Sequence, residues 1–329
     1  MVRLRGRAGP CYVSAVRRER AQSLKHVAVP YDSDRAFLDL VVPRVRTALD
    51  EDRRVLVVNR PDRLALLSEA LDGDARRIDS RLSSSWYGHP HRMLAAYHEY
   101  TRGRPTLVIG EPVWTDLSEP RIQDLIRYDS VVNAALAAAP SVMMCLYDLR
   151  HVPEPVRELT SVVHPLVLGA GGETASGRFV EPHELVLDGD DAPFPEPGPG
   201  ACLVRFTARE LKRLRQSVGD YARAAGMDRN LISSLVLSVS EIAANSVEHG
   251  AGFGTITMWV EERDLVCEIA DPGGTLDDPL PGYIPPEPEA PRGYGLWISR
   301  QLCDRVQMRD EGGVLRVRLR LSLDSPGSS

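Results

Sequence analysis

Residues 238–250 read SVSEIAANSVEHG, and the spacing within this stretch decides how the C-terminal part of the chain is understood. Ser238, Glu241, Asn245 and Glu248 recur at three or four residues and so share one face of a helix. Ile232, Leu235, Val236, Val239, Ile242 and Ala243 fall on the other side with the helical period of a core face. A carboxylate and a carboxamide one turn apart, aimed away from that core, offer a general base and an oxygen ligand for a hydrated Mg²⁺. Alone, the stripe reads first as the solvated face of an amphipathic helix, so its neighbours along the chain matter.

Downstream, Leu265-Val266-Cys267-Glu268-Ile269-Ala270 alternates like a half-buried strand and ends at Asp271-Pro272-Gly273-Gly274. A carboxylate at a strand end accepts an exocyclic amine, and glycines beside it let a ring approach the backbone. An ordinary Asp-Pro-Gly-Gly turn has the same residues. A third stretch, Pro291-Arg292-Gly293-Tyr294-Gly295-Leu296-Trp297-Ile298, passes from glycines into an apolar-periodic helix, so free amides point at whatever precedes it, as in a phosphate cradle. It has neither the lysine nor the spacing of a P-loop. Between the two, residues 277–291 hold six prolines and no regular pattern, which suits either a mobile lid or a passive surface loop.

This order (helix with Glu-x-x-x-Asn, strand ending in Asp-x-Gly, proline-rich lid, Gly-x-Gly-Leu) resembles the ATP-binding domain shared by DNA gyrase, MutL and histidine kinases, the GHKL superfamily. Within it, SVSEIAANSVEHG resembles the anti-sigma-factor serine/threonine kinases of bacterial partner-switching systems. The resemblance covers about residues 200–321. It implies an α/β sandwich, a mixed sheet with helices on one face. It further implies that ATP and Mg²⁺ are bound, with Glu241 as the base that activates an attacking hydroxyl and Asn245 holding Mg²⁺. Asp271 would bind adenine, Gly273 would line the base pocket, and Arg292, Gly293, Gly295 and Leu296 would complete the nucleotide site. Thr275 stands where many relatives have a second glycine.

The flanking sequence suits such a sandwich. Thr207 and Glu210 make a capping box, and Leu211, Leu214, Val218 and Tyr221 give a helical stripe that stops at Gly226. Ile256, Met258 and Val260 alternate in one strand. In the last strand Leu315, Val317, Leu319 and Leu321 alternate with Arg316, Arg318 and Arg320, after a Gly312-Gly313 hairpin turn. No helical hairpin with a phosphoacceptor histidine is evident upstream, where His164-Pro165 closes a strand-like segment.

At 329 residues with 43% apolar content the chain is long enough for two cores. No apolar run reaches the ~18 residues needed to span a bilayer, and no h-region opens the chain, so a cytoplasmic protein without a membrane anchor is expected. Cys11, Cys145, Cys202, Cys267 and Cys303 are scattered and never in C-x-x-C spacing, which points to neither a disulfide framework nor a zinc site. A net charge of −6 argues against direct nucleic-acid binding. The expected division is a flexible, arginine-rich tail (1–23), a first domain (24–187), an acidic Pro/Gly linker (188–200), the ATP-binding domain (201–322) and a short tail (323–329).

In the first domain Val55-Leu56-Val57-Val58, Thr106-Leu107-Val108-Ile109 and Val142-Met143-Met144-Cys145-Leu146 are continuous apolar runs of the kind buried parallel strands show. Helical segments at 64–71 and 121–138 separate them, so right-handed β-α-β crossovers are expected. Asn59, Gly110-Glu111 and Tyr147-Asp148 then stand at strand ends, where RecA-type ATPases keep their acids. Without a phosphate loop, hydrolysis there is not expected. His26, Pro30-Tyr31, Ile109-Gly110-Glu111-Pro112-Val113-Trp114, Arg127-Tyr128-Asp129, Cys145-Leu146-Tyr147-Asp148 and His164-Pro165 resemble the MEDS sensory domain, over roughly residues 24–170. That resemblance implies a RecA-like parallel α/β domain acting as an input module for a small-molecule ligand. Trp86, Trp114, Tyr128 and Tyr147 read as core packing, and His89, His91 and His98 as a solvated loop and helix face.

The two halves together suggest an N-terminal sensor controlling an anti-sigma factor and Ser/Thr kinase. Its expected partners are a STAS-type anti-sigma antagonist, a sigma factor, or both, and the family expectation is a homodimer. The alternative is a non-catalytic ATP-binding module that sequesters a regulator.

Overall fold

The computed structural model describes residues 23–115, 117–169, 171–188, 194–286 and 293–324. The first of its two sheets is built from β1 (Lys25–Tyr31), α1 (Asp34–Asp50), β2 (Arg54–Asn59), α2 (Pro61–Leu71), β3 (Asp79–Leu82), α3 (Ser83–Trp86) and α4 (Pro90–Thr101). It continues through β4 (Thr106–Gly110), α5 (Glu119–Ala135), β5 (Ser141–Asp148), α6 (Glu154–Val163), β6 (Leu166–Gly169), β7 (Gly172–Ala175) and α7 (Pro182–Asp188). The strand order is β3-β2-β4-β5-β1-β6-β7, parallel except for β7. The three apolar runs are β2, β4 and β5. They read as continuous because both faces are covered: α1 and α2 pack Phe37, Val41, Val45 and Leu67 on one side, while α4, α5 and α6 pack Leu94, Val131 and Val156 on the other.

One sequence expectation fails here. The segment that His164-Pro165 closes is the helix α6, not a strand, and β6 follows it. Valines and Thr160 gave it a strand-like look, but Val156, Val163 and Thr160 place their bulk at helical spacing, two of them buried on one face.

The second sheet comprises β8 (Cys202–Thr207), β9 (Phe253–Glu261), β10 (Asp264–Asp271), β11 (Arg305–Asp310) and β12 (Leu315–Ser322), in the order β11-β12-β10-β9-β8. The sandwich is as expected, but every pairing is antiparallel, so the mixed sheet is the N-terminal one. Two of its pairs, β9-β10 and β11-β12, follow each other directly along the chain, which antiparallel geometry joins without a crossover helix. α8 (Leu211–Ala224), α9 (Arg229–Glu248) and α10 (Tyr294–Leu302) lie on one face, where Leu214, Val218, Leu235, Val239 and Ile242 meet Ile256, Cys267 and Leu319. The capping box starts this helical layer, and Gly226, at φ 81°, ends α8 in a conformation that favours glycine. Among the described residues α9 is the one helix long and apolar enough to cross a membrane, and its apolar side is this core face.

Opposite the helices, the sheet is covered by residues 194–199 of the expected linker. Phe194 lies beneath the guanidinium groups of Arg309 and Arg318, and the Pro195 carbonyl accepts from Arg318 Nη2 at 2.8 Å. Arg318 also pairs with buried Glu268 at 2.5 Å, its cross-strand neighbour in register. Of the arginines that alternate along β12, Arg318 thus faces a clad surface and is only 4% exposed, whereas Arg316 and Arg320 are half-buried.

Candidate functional site

A cleft of about 900 Å³ opens between α9, the end of β10, residues 274–286 and the start of α10, a size suited to a nucleotide. Glu241, Asn245, Asp271, Gly293, Gly295 and Leu296 all lie on its wall. Arg292 falls outside the described residues. Gly273 stands behind the wall: its N–H donates to Asp271 Oδ1 at 3.0 Å, and a Cβ there would meet Ala251 N at 2.7 Å. Ser238, first of the polar stripe, is fully buried and takes no part in the cleft.

Asp271 is held closely. It is 5% exposed at the end of β10, and its Oδ1 accepts from the N–H groups of Ala251 (3.2 Å) and Gly273 (3.0 Å). That leaves Oδ2 between Gly250 and Gly274, where a Cβ would approach it to 2.0 Å and 2.9 Å respectively. Gly250 is a cleft-lining position that sequence reasoning passed over, because a glycine just past a helix looks like an ordinary C-terminal cap. Its φ is not in the left-handed region, unlike that of Gly252 at 81°, so the need is for space against the carboxylate. An oriented carboxylate with bare backbone around it accepts an N–H of a flat ring laid against the glycines.

Glu241 and Asn245 sit one turn apart on α9, the first half-buried and the second exposed. A Cβ on Gly295 would come within 2.8 Å of Glu241 Oε2, so α10 approaches that carboxylate as closely as it does because residue 295 is glycine. α10 begins at Gly293, whose φ of 102° lets the chain turn into the helix, and no side chain caps its first amides. A helix start with free N–H groups favours anionic oxygens. The wall is otherwise acidic (Glu248, Asp277 and Asp278 beside Glu241 and Asp271), so a polyphosphate fits only with a divalent cation beside it. The oxygen donors of Asn245 and Glu241 suit Mg²⁺.

The segment beside the cleft also meets the core of the N-terminal sheet. Leu280 and Tyr283, from the proline-rich segment, are buried in the core that α4 and α5 build on that sheet. The Tyr283 ring lies 5.4 Å from Tyr128 and 5.8 Å from His91, with Arg300 of α10 stacked on it at 3.7 Å. Arg300 in turn donates from Nε to the Pro281 carbonyl at 2.8 Å. His89 Nε2 donates to the Cys303 carbonyl (3.1 Å) and Arg92 Nε to the Gln301 carbonyl (3.0 Å). The solvated-face expectation for His89, His91 and His98 is therefore corrected: His91 is 4% exposed because Tyr128 and Tyr283 cover it, and His89 and His98 are half-buried. Burial and the nearby Arg300 hold the His91 imidazole well below the usual histidine range, hence neutral.

At the strand ends of the N-terminal sheet the acids are already engaged. Tyr31 donates to Glu111 at 2.8 Å, and Asp148 is bound by Arg63 Nη2 (3.2 Å) and Arg150 Nη2 (2.7 Å). Burial raises the Glu111 carboxyl. For Asp148 burial pushes the same way, but the Arg150 hydrogen bonds outweigh it and bring the carboxyl down to about 2. Arginines thus neutralise the Asp148 carboxylate at this strand end, which leaves it engaged within the domain. Trp114, Tyr128 and Tyr147 are core residues, as expected, and Trp86 packs half-buried against the same core.

An antiparallel sheet backed by three helices, with Asp271, Asn245 and uncapped glycine-rich amides around one cleft, has the form expected of a nucleotide-binding domain of the α/β sandwich type. Residues 204–320 match the family model of the Histidine kinase-like ATPase domain, and residues 25–165 match that of MEDS, the MEthanogen/methylotroph, DcmR Sensory domain. The chain joins a MEDS domain to a histidine kinase-like ATPase domain. No curated protein matches it. Among solved structures, the RsbU and RsbW domains of Rv1364c from Mycobacterium tuberculosis share 15% identity at a TM-score of 0.29, over 39% of this chain and 32% of that one. That likeness is too slight to carry an argument.

Proposed function

We propose that the chain is an ATP-binding regulatory protein of a bacterial partner-switching system, an anti-sigma factor and Ser/Thr protein kinase acting on a STAS-type antagonist in the cytoplasm. The observation that carries this reading is the shared cleft: Glu241 and Asn245 on one helix turn face the Asp271 carboxylate and the α10 amides across about 900 Å³. Bound Mg-ATP would supply the phosphoryl group. Asp271 would take the adenine amine, Asn245 the cation, and the amides of Gly293 and Gly295 the phosphate oxygens. Glu241 would accept the proton of an attacking Ser or Thr hydroxyl. Phosphoryl transfer needs alignment and charge neutralisation above all, and this residue set offers both. The Tyr283 contact supports control by the MEDS domain, since the segment flanking the cleft is seated in that domain's core.

The test is transfer of labelled phosphate from ATP to the STAS-type antagonist proteins of the source organism, with wild type and Glu241→Ala. The kinase reading expects labelling on Ser or Thr by wild type, lost in Glu241→Ala while nucleotide binding persists. Undiminished labelling by Glu241→Ala contradicts the assignment of the base. Tight nucleotide binding without transfer to any antagonist leaves the non-catalytic module as the reading.

A further inference from the structure

We propose that His26, Asp129, Cys145 and His164 form a tetrahedral zinc site inside the MEDS domain, unrelated to the ATP cleft. The four come from β1, α5, β5 and the residue after α6, and their ligand atoms all lie within 4.8 Å of one another. His26 Nε2 stands 3.2 Å from Cys145 Sγ and 3.4 Å from Asp129 Oδ1. Cys145 Sγ is 3.5 Å from Asp129 Oδ1, and His164 Nε2 is 3.5 Å from Asp129 Oδ2. Zinc bonds of ~2.0 Å to nitrogen or oxygen and ~2.3 Å to sulfur put tetrahedral neighbours roughly 3.3–3.6 Å apart, close to the three separations among His26 Nε2, Cys145 Sγ and Asp129 Oδ1, while His164 Nε2 stands against the other oxygen of the same carboxylate.

The hydrogen bonds fix which ring atom each histidine offers. Asn133 Nδ2 donates to the carbonyls of Ser130 and Val163, both at 2.9 Å, so its Oδ1 is an acceptor and takes the Nδ1–H of His26 at 3.1 Å. His164 Nδ1–H donates to the Thr160 carbonyl at 2.9 Å. Both Nε2 lone pairs are thereby turned to the same centre, the arrangement by which a second layer of acceptors orients metal-binding histidines. Tyr147 donates to Asp129 Oδ2 at 2.7 Å, anchoring the carboxylate in the same way. His164 Nε2 is buried with no hydrogen-bond partner, facing a carboxylate oxygen across 3.5 Å. Two acceptors facing each other in a buried site need a cation or a proton between them.

Two imidazole nitrogens, a thiolate and a carboxylate in tetrahedral array select Zn²⁺ among common divalent ions, with the Cys145 thiol proton released on binding. Four protein ligands close the coordination sphere, so the ion ties β1, β5, α5 and the end of α6 together. Sequence spacing gave no sign of this, because the ligands are brought together by the β5-β1-β6 strand order.

The test uses the full chain, purified reduced and without chelator. Elemental analysis should find one equivalent of zinc. Cobalt(II) exchanged for it should show the intense visible bands of four-coordinate cobalt and a thiolate-to-cobalt charge-transfer band. Cys145→Ser should lose that charge-transfer band, His164→Gln should lose the bound equivalent, and Cys202→Ser should keep both. Should the variants not fold, the wild-type cobalt spectrum still decides. Folded wild type that takes up neither ion, a cobalt spectrum without thiolate character, or zinc retained at full stoichiometry by both Cys145→Ser and His164→Gln would overturn the proposal and leave a hydrogen-bonded cluster.

Discussion

The Tyr283 ring, on the segment beside the nucleotide cleft, lies 5.4 Å from the ring of Tyr128 in the MEDS domain, both nearly excluded from solvent. Neither residue lines the cleft, yet Pro281, Gly282 and Ile284 on either side of Tyr283 do. A side chain that belongs to one domain's core therefore fixes the wall of the other domain's site. Gly282 lets the same segment lie against α10, since a Cβ there would meet Leu296 at 2.7 Å.

Tyr283→Ala should remove this anchor. Emptying a buried aromatic position costs about 3–5 kcal/mol of unfolding free energy, readable by denaturant titration. The freed segment must then be ordered when nucleotide binds, so Mg-ATP affinity should weaken roughly two- to tenfold although no cleft contact is lost. Unchanged affinity in a destabilised but folded variant would show that the docked segment does not couple the domains.

Gly250→Ala tests how Asp271 is placed. The new methyl would sit 2.0 Å from Oδ2, so the carboxylate must move, and adenine-nucleotide affinity should fall by about tenfold or more, the worth of a buried charge-assisted hydrogen bond. Gly252→Ala is the comparison, since its cost is backbone strain at φ 81° and not a collision with Asp271. Equal nucleotide affinity in wild type and Gly250→Ala would contradict the role given to Oδ2.

Asp148 sets a pH dependence for the N-terminal sheet. Its carboxyl lies at about 2 when folded against an ordinary 3.8, so the ionised form is favoured in the folded state. That contribution is fully present above the ordinary value and is lost as pH falls through 3.8 towards 2. Asp148→Asn should cost roughly 1–3 kcal/mol at neutral pH, and the gap to wild type should close as acid is added through that window. A gap that stays constant down to pH 2 would show that the Arg63 and Arg150 pairs do not depend on its charge.

What the sequence conveyed divides along physical lines. β2, β4 and β5 were legible because strands buried on both faces are continuous apolar runs, and α9 was legible because its apolar residues keep a helical period. β1 was recognised by resemblance at His26 and Pro30-Tyr31 but not as a strand, since its histidine and proline interrupt an otherwise apolar run. The cleft residues were legible as three separate stretches. Gly250 was not, because its neighbour across the turn, Asp271, is distant in sequence. Tyr283 looked like a lone aromatic in a proline-rich segment, and no local pattern shows that its partner is Tyr128. The residues 194–199 read as linker because they have no period. Their packing depends on single contacts, Phe194 under two arginines and Gly198 against Trp259.

The central claim is that the C-terminal domain binds Mg-ATP in the cleft that Asn245 and Asp271 line. Isothermal titration of the full chain with Mg-ATP, beside Asn245→Ala and Asp271→Ala, tests it most directly. The account predicts saturable binding by wild type, with both variants folded and their binding abolished or weakened by more than about tenfold. Absence of binding by folded wild type, or full affinity in both variants, would contradict it.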